Sequence, residues 1–285
     1  MAIFGVNYNR AGPGVSKNEP KKKGFRRFIE LIAREIQNLI KLNLLFCLIA
    51  LPSAALFGLG FIGIGGVAVF ALSVAATLPI GGAIAASMFC VAKMLRDEPG
   101  YLMYDFKRKF LENAKQAALP GMFTAVFTYM RLYIYGGIAF KTIWAGFGTI
   151  ALLLVATVFF EMIVPYIFLQ IAYLELNTAA ILKNSVFLMV KNAPRGLRGF
   201  ILSRIIWLLT LAFYPLSLWW APLLPLIGFA LMWLVNLMWI WPIVDTVFAI
   251  DATLKADRER QMGDISPVFA SHEPWTPASR ASHEP

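Results

Sequence analysis

The sequence predicts an all-α integral membrane protein with about six transmembrane helices and amphipathic cytoplasmic surface helices. Three observations carry that prediction. First, Leu42 to Ala92 holds no charged side chain. About 20 apolar residues cross a bilayer core of about 30 Å, so the run is long enough for two crossings. Second, the 285 residues are 59% hydrophobic and only 15% charged, with a mean hydropathy of +0.67. A soluble chain would carry roughly a quarter charged residues. Third, the basic residues behind the net charge of +10 lie in segments flanking the apolar runs. That placement suits the positive-inside rule and argues against nucleic-acid binding.

The chain divides into a flexible basic arm (1–24), a single membrane domain (25–251) and a polar tail (252–285) expected to be unstructured. The arm contains Gly12, Pro13, Gly14 and Pro20, then Lys21, Lys22 and Lys23. From Gly24 to Lys41, Phe25, Phe28, Ile29, Ile32, Ile36, Leu39 and Ile40 recur at three and four, with Arg26, Arg27, Glu30, Arg34 and Gln37 opposite. This pattern predicts an amphipathic helix lying on the membrane, with Lys21, Lys22, Lys23, Arg26 and Arg27 against anionic lipids. A docking helix for a partner is the alternative.

The first crossing is expected over 42–60 and the second over 66–92, with a glycine-rich reversal between them. Pro79, Gly81 and Gly82 should break the second. Gly81 with Ala85, and Gly82 with Ala86, are also small pairs suited to close helix contact. A second surface helix is expected around Leu102, Phe106, Phe110 and Ala114, and the third crossing over 117–136. The fourth should run over 144–174. A third surface helix is expected around Ala180 to Leu188, ending near Asn192 and Pro194. The fifth and sixth crossings are expected over 200–218 and 224–243. Trp219 and Trp220 should stand at one interface, and Trp239 and Trp241 at the other. The tail repeats Ser271-His272-Glu273-Pro274 as Ser282-His283-Glu284-Pro285.

Lys and Arg crowd the arm and the segments at 93–115 and 183–198, while Lys141 stands alone on the opposite side. The asymmetry predicts a cytoplasmic N-terminus, long loops and tail. The apolar run beginning after Lys41 far outlasts the core of a cleavable signal peptide, so the first helix should stay in the membrane. Cys47 and Cys90 lie in apolar runs and read as small buried hydrophobes. The two histidines fall in the tail, so neither a zinc nor a haem site is expected, and no cofactor is implied.

Charges within apolar runs are costly and often functional. Arg131 and Glu161 fall on adjacent antiparallel crossings, where they make either a structural pair or a transport site. Arg204 and Asp245, near the inner ends of the last two crossings, make a second candidate pair, or else snorkel to the interface. Asp97, Glu98 and Asp105 read as solvated loop charges. No catalytic motif is present: no GxSxG, no phosphate loop and no HExxH.

Pro79-Ile80-Gly81-Gly82-Ala83 leads to Lys93-Met94-Leu95-Arg96-Asp97-Glu98-Pro99. Tyr104-Asp105-Phe106, Phe110 and Asn113-Ala114-Lys115-Gln116 follow. Together with Leu42-Asn43-Leu44-Leu45 and Ile181-Leu182-Lys183-Asn184, this run resembles the YesL family of bacterial membrane proteins over most of 25–251. The chain departs from the shorter family pattern by an apparent insertion between Pro52 and Pro79. The resemblance implies a multi-span protein of the bacterial inner membrane, found alongside carbohydrate uptake, with no assigned catalytic residues. The function expected first is thus non-enzymatic: an accessory or assembly protein of an ABC-type sugar importer. The alternative is a small transporter or channel using the broken second helix and the Arg131 and Glu161 charges. Expected partners are the lipid bilayer, anionic lipids and, on the resemblance, transporter subunits or another membrane protein. A water-filled cavity reaching Glu161 would separate the two functions.

Overall fold

The computed structural model describes residues 24–212 and 224–270, with side chains placed for 24–205 and 226–260. Every regular element among them is helical. In chain order these are α1 (Gly24–Phe61), α2 (Gly66–Ala75), α3 (Leu78–Leu95), α4 (Leu102–Ala139), α5 (Phe147–Tyr173), α6 (Thr178–Lys191) and α7 (Ala193–Ala212). A short π-turn (Leu224–Gly228) then opens α8 (Phe229–Phe248), and α9 (Ile250–Ala270) closes the described chain.

Among the described residues, four helical segments are long and apolar enough to cross a membrane: Gly24–Phe61, Gly66–Leu95, Phe147–Tyr173 and Leu226–Phe248. The chain is therefore a membrane protein on the strength of these helices. The Trp219 and Trp220 belt, Lys21 to Lys23 and the histidine repeat fall outside the described residues.

α3 is the central helix. Its residues from Ile80 to Ala92 are buried throughout, and α1, α4, α5 and α8 pack around it. The close approach of α3 and α4 requires two glycines. A Cβ at Gly81 would lie 1.8 Å from the Ala117 carbonyl oxygen, and one at Gly121 would lie 2.1 Å from Gly81 Cα. Neighbouring backbone cannot give way as a flexible side chain can. Gly81 and Gly82 thus do not break the helix as expected; they admit α4, with the Phe110 ring over Gly82. The break lies upstream, at Ala76 and Thr77, and Pro79 accounts for it. A proline ring collides with the carbonyl four residues earlier and offers no N–H to it. That carbonyl belongs to Ala75, the last residue of α2. Pro79 itself fits comfortably in the first turn of α3.

Two expected surface helices are instead the first turns of longer ones. α1 continues through Lys41 without interruption, and α4 joins 102–116 to the apolar stretch beyond it. Each has 38 residues, or about 57 Å at 1.5 Å per residue. That exceeds the roughly 40–45 Å of a whole bilayer. α6 is separate, capped by the Asn177 side chain accepting from Ala180 N at 2.7 Å. The tail also differs from expectation, since α9 carries the helix on from Ala252 as far as Ala270.

The extensions of α1 and α4 gather with the 96–101 loop and the start of α9 at one end of the bundle. Arg27 and Arg34 both reach Asp97 at 2.6 Å, and Lys93 reaches Asp105 at 2.6 Å. Arg96 pairs with Glu98 at 2.8 Å and lies over the rings of Tyr173 and Trp241. Arg258 of α9 also reaches Glu98. The expected solvated carboxylates are therefore clamps, with Asp105 only 5% exposed. Arg27 is not an anionic-lipid contact either: it is buried against Asp97 and Glu30, while Arg26 remains exposed. Trp241 is buried under Arg96 rather than set in an interfacial belt. At the other end, Gly63, Gly65 and Gly66 take positive φ between α1 and α2, and Phe61 stacks on Tyr133 near the end of α4.

Candidate functional site: a charged cavity at the middle of the bundle

Glu161 stands near the middle of α5, with the Phe147 end about 21 Å away and the Tyr173 end about 18 Å away along the axis. Its carboxylate is held by two guanidinium groups. Arg131 Nη1 of α4 lies 2.6 Å from Oε1. Arg204 Nη2 of α7 donates to Oε2. The side chains are 13%, 15% and 22% exposed for Arg131, Glu161 and Arg204 in turn. Such sheltered charges are stable only when paired.

The expected pair of Arg204 with Asp245 does not form. Asp245 instead accepts from Asp251 N at 2.7 Å and caps the start of α9, where the chain turns at Ala249 with positive φ. The reason is helix length. α7 begins at Ala193 rather than near Phe200, so Arg204 stands about 16 Å along it, at the depth of Glu161.

The three charges form one wall of a cavity of about 390 Å³. Sites that hold small molecules span roughly 300–1,000 Å³. The remaining walls are mainly apolar. α1 contributes Cys47, Ala50, Leu51 and Ala54; α3 contributes Ile80 and Ile84; α4 contributes Thr124, Thr128, Tyr129 and Leu132. Val164 of α5 and Phe229, Met232 and Trp233 of α8 complete it.

Inter-helix contacts hold these walls in register. Tyr129 and Ser53 share a hydrogen bond at 3.0 Å. Phe46 meets Trp233 edge-on at 4.8 Å between centroids. The Asn43 side chain, fully buried, accepts from Ala230 N at 2.9 Å. The first turn of a helix has backbone N–H groups without intrahelical partners, so Asn43 of α1 caps α8 from outside. Tyr135 hydrogen-bonds Thr157 at 2.7 Å and joins α4 to α5 on the far side of the charges.

The site is thus an apolar chamber with three alternating charges, Arg–Glu–Arg, which sum to one positive charge. Among the described residues no three His, Cys, Asp or Glu side chains gather as a metal site requires. Cys47 lies half-buried in the cavity wall, where its sulfur accepts from Asn43 Nδ2 at 3.6 Å, and Cys90 is buried in α3. Sequence reasoning pairs Arg131 with Glu161 and singles out Arg204, but gives Arg204 to Asp245 and so misses its contact with Glu161. The available signal was the run of helix-compatible residues back from Phe200 to Ala193. No family model, curated protein or solved structure matches this chain.

Proposed function

We propose that the chain is a six-crossing protein of a bacterial cytoplasmic membrane, with both termini inside, that binds and moves a small molecule through the cavity at Glu161. The observation that carries this reading is the cavity itself. A pair serving only to fix helix packing would be expected to lie in a closed contact, whereas Arg131, Glu161 and Arg204 face about 390 Å³ of open space. Mid-membrane charges facing a cavity commonly mark a substrate or ion path. The joint between α2 and α3 supports movement, because Ile80 and Ile84 of the wall follow it directly. On this reading α4 and α7 are the crossings that complete the six. Arg131 lowers the apparent hydropathy of α4, as Arg195, Arg198 and Arg204 do that of α7, and of these Arg131 and Arg204 serve the site.

The test uses the two native thiols as internal controls. In C90A and C47A single-cysteine variants in membranes, a small maleimide should label Cys47 much faster than Cys90. Equal, slow labelling of both would mean the chamber is inaccessible and would remove the basis for transport.

The accessory role implied by the YesL resemblance draws on a different feature. α6 exposes Leu182, Val186, Phe187 and Val190 while burying Ile181, Ser185, Leu188 and Met189. Such a face suits a partner at the inner surface. Co-purification from native membranes, lost on Phe187→Asp, would support it; an unchanged set of bound proteins would count against it.

A further inference from the structure

The charge balance and the shape of the cavity together specify what it holds, granted that the cavity is a binding site as proposed above. Glu161 neutralises one of its two guanidinium partners, and one positive charge is left over. Each guanidinium carries five N–H donors. Glu161 takes Arg131 Nη1 and Arg204 Nη2, while Arg204 Nη1 donates to the Met232 sulfur at 3.5 Å and the guanidinium lies over the Phe200 ring. A thioether is a weak acceptor, and among the described lining residues Glu161 is the one carboxylate set against the two guanidinium groups. A second carboxylate there would complete an alternating set of two anions and two cations.

The rest of the chamber rejects a purely polar solute. Ala50, Ile84, Val164 and Trp233 line it, and among the described residues no further charged group does. Leu51 and Leu132 of the lining are 62% and 53% exposed, so the chamber opens sideways through apolar side chains. In a bilayer that opening faces lipid chains rather than water.

We propose that the cavity binds a single-chain amphiphile with a monoanionic head, a long-chain carboxylate of the fatty-acid class. Its carboxylate accepts from Arg131 and Arg204 opposite Glu161, and its chain lies along the apolar wall. The occupant enters laterally from the bilayer.

The experiment measures binding to the full chain in nanodiscs of neutral phosphatidylcholine by native mass spectrometry. Palmitate, hexadecanol, acetate and phosphatidylglycerol are compared. Palmitate should bind as one molecule per chain and about tenfold or more tighter than hexadecanol, since hydrogen bonds to charged groups add roughly 1.5–3 kcal/mol. R131Q and R204Q each leave Glu161 with one partner and a neutral site, so both should fold and both should lose the preference for the acid. A50W, which fills the chamber, should lose palmitate and hexadecanol alike.

Equal binding of palmitate and hexadecanol would overturn the proposal, as would an acid preference that survives both arginine changes. Acetate competing as well as palmitate would make this a small-anion site, and displacement by phosphatidylglycerol would make it a phospholipid site; either result sinks the proposal. If Cys47 labels readily but palmitate does not bind, this inference fails and the accessible cavity stands. If Cys47 is inert and nothing binds, both fail.

Discussion

At the residue scale, the three buried charges are not equivalent, and their order of importance follows from counting partners. Glu161 is shared by Arg131 and Arg204. Glu161→Ala leaves two guanidinium groups facing each other within the bundle. Arg131→Ala or Arg204→Ala leaves a neutral one-to-one pair. A stranded charge costs at least about 2.5–3.5 kcal/mol on membrane insertion scales. Glu161→Ala should therefore lower thermal stability in detergent most, by an amount of that order, and each arginine change by clearly less. The double change Arg131→Ala with Glu161→Ala should not recover stability, because Arg204 is then alone. Only replacement of all three by apolar residues should do so. Recovery in the double variant would show that Arg204 is not part of the cluster. At the end of the bundle where α1, α4 and α9 meet, burial works against the charge of Glu98. Hydrogen bonds and the nearby charges of Arg96 and Arg258 prevail over that, and hold its carboxyl below the usual range. A lowered folded-state value means the stabilisation is fully present above the ordinary glutamate range and is lost as pH falls below it. Glu98→Gln should thus cost stability at neutral pH and flatten the acid limb below about pH 4.3. An acid limb identical to the parent's would show that Glu98 is not coupled to folding.

At the element scale, the crossing of α3 and α4 sets the geometry on which the cavity depends, since Ile80 and Thr124 line it on either side of the Gly81–Gly121 contact. Gly81→Ala drives a methyl group to 1.8 Å from a backbone oxygen, whereas Gly82→Ala meets the Phe110 ring at 3.2 Å and the Phe110 carbonyl oxygen at 3.3 Å, a tight contact that a shift of a few tenths of an ångström relieves. Overpacking costs typically 1–3 kcal/mol. Gly81→Ala and Gly121→Ala should therefore fall at about the upper part of that range in thermal unfolding, and Gly82→Ala near the bottom. Equal losses at Gly81 and Gly82 would mean that the helices slide apart freely. The sequence is readable at this scale only in part. Apolar length reveals α1, α5 and the α2–α3 segment, because the bilayer demands about 20 such residues and little else does. The Pro79 break is legible too, but its position is set one turn earlier by the i−4 carbonyl. What cannot be read is continuity through charge. Nothing local distinguishes an amphipathic helix lying on a membrane from the projecting end of a longer one. In α1 and α4 the choice falls to tertiary partners, Asp97 and Asp105, which hold the projecting turns against the bundle end. The Arg204–Glu161 contact was hidden for the same reason, since placing α7's start decides the depth of Arg204.

At the scale of the whole molecule, chain direction constrains the number of crossings. α1 leaves the end where Arg27 meets Asp97 and reaches the glycine turn at Gly63. The α2–α3 segment returns to the first end, where Lys93 meets Asp105. α4 starts there and finishes beside Phe61, through Tyr133. α5 must then begin at the far end, and it returns to Tyr173, which touches Arg96. If α1 and α5 cross a bilayer, α4 has to cross it between them, despite Arg131. The apolar part of α4, from Ala117 to Ala139, is about 34 Å long, enough for the core. The same parity applies to α7, because α8 again ends beside Arg96 through Trp241. On the reading proposed above, Lys and Arg density orients the whole: the end carrying Arg27, Lys93, Arg96 and Arg258 is expected in the cytoplasm, and Lys141 outside. Single cysteines at Tyr104 and Asn192, in a background lacking Cys47 and Cys90, should react with an impermeant maleimide only when the inner face is exposed. A cysteine at Lys141 should react in intact cells. Tyr104 and Lys141 are both exposed, so neither result depends on unfolding. Labelling of the Lys141 site from the cytoplasmic side would mean that α4 does not cross. Arg131 and Glu161 would then leave mid-bilayer, and the lateral entry proposed for the cavity would have no lipid to face.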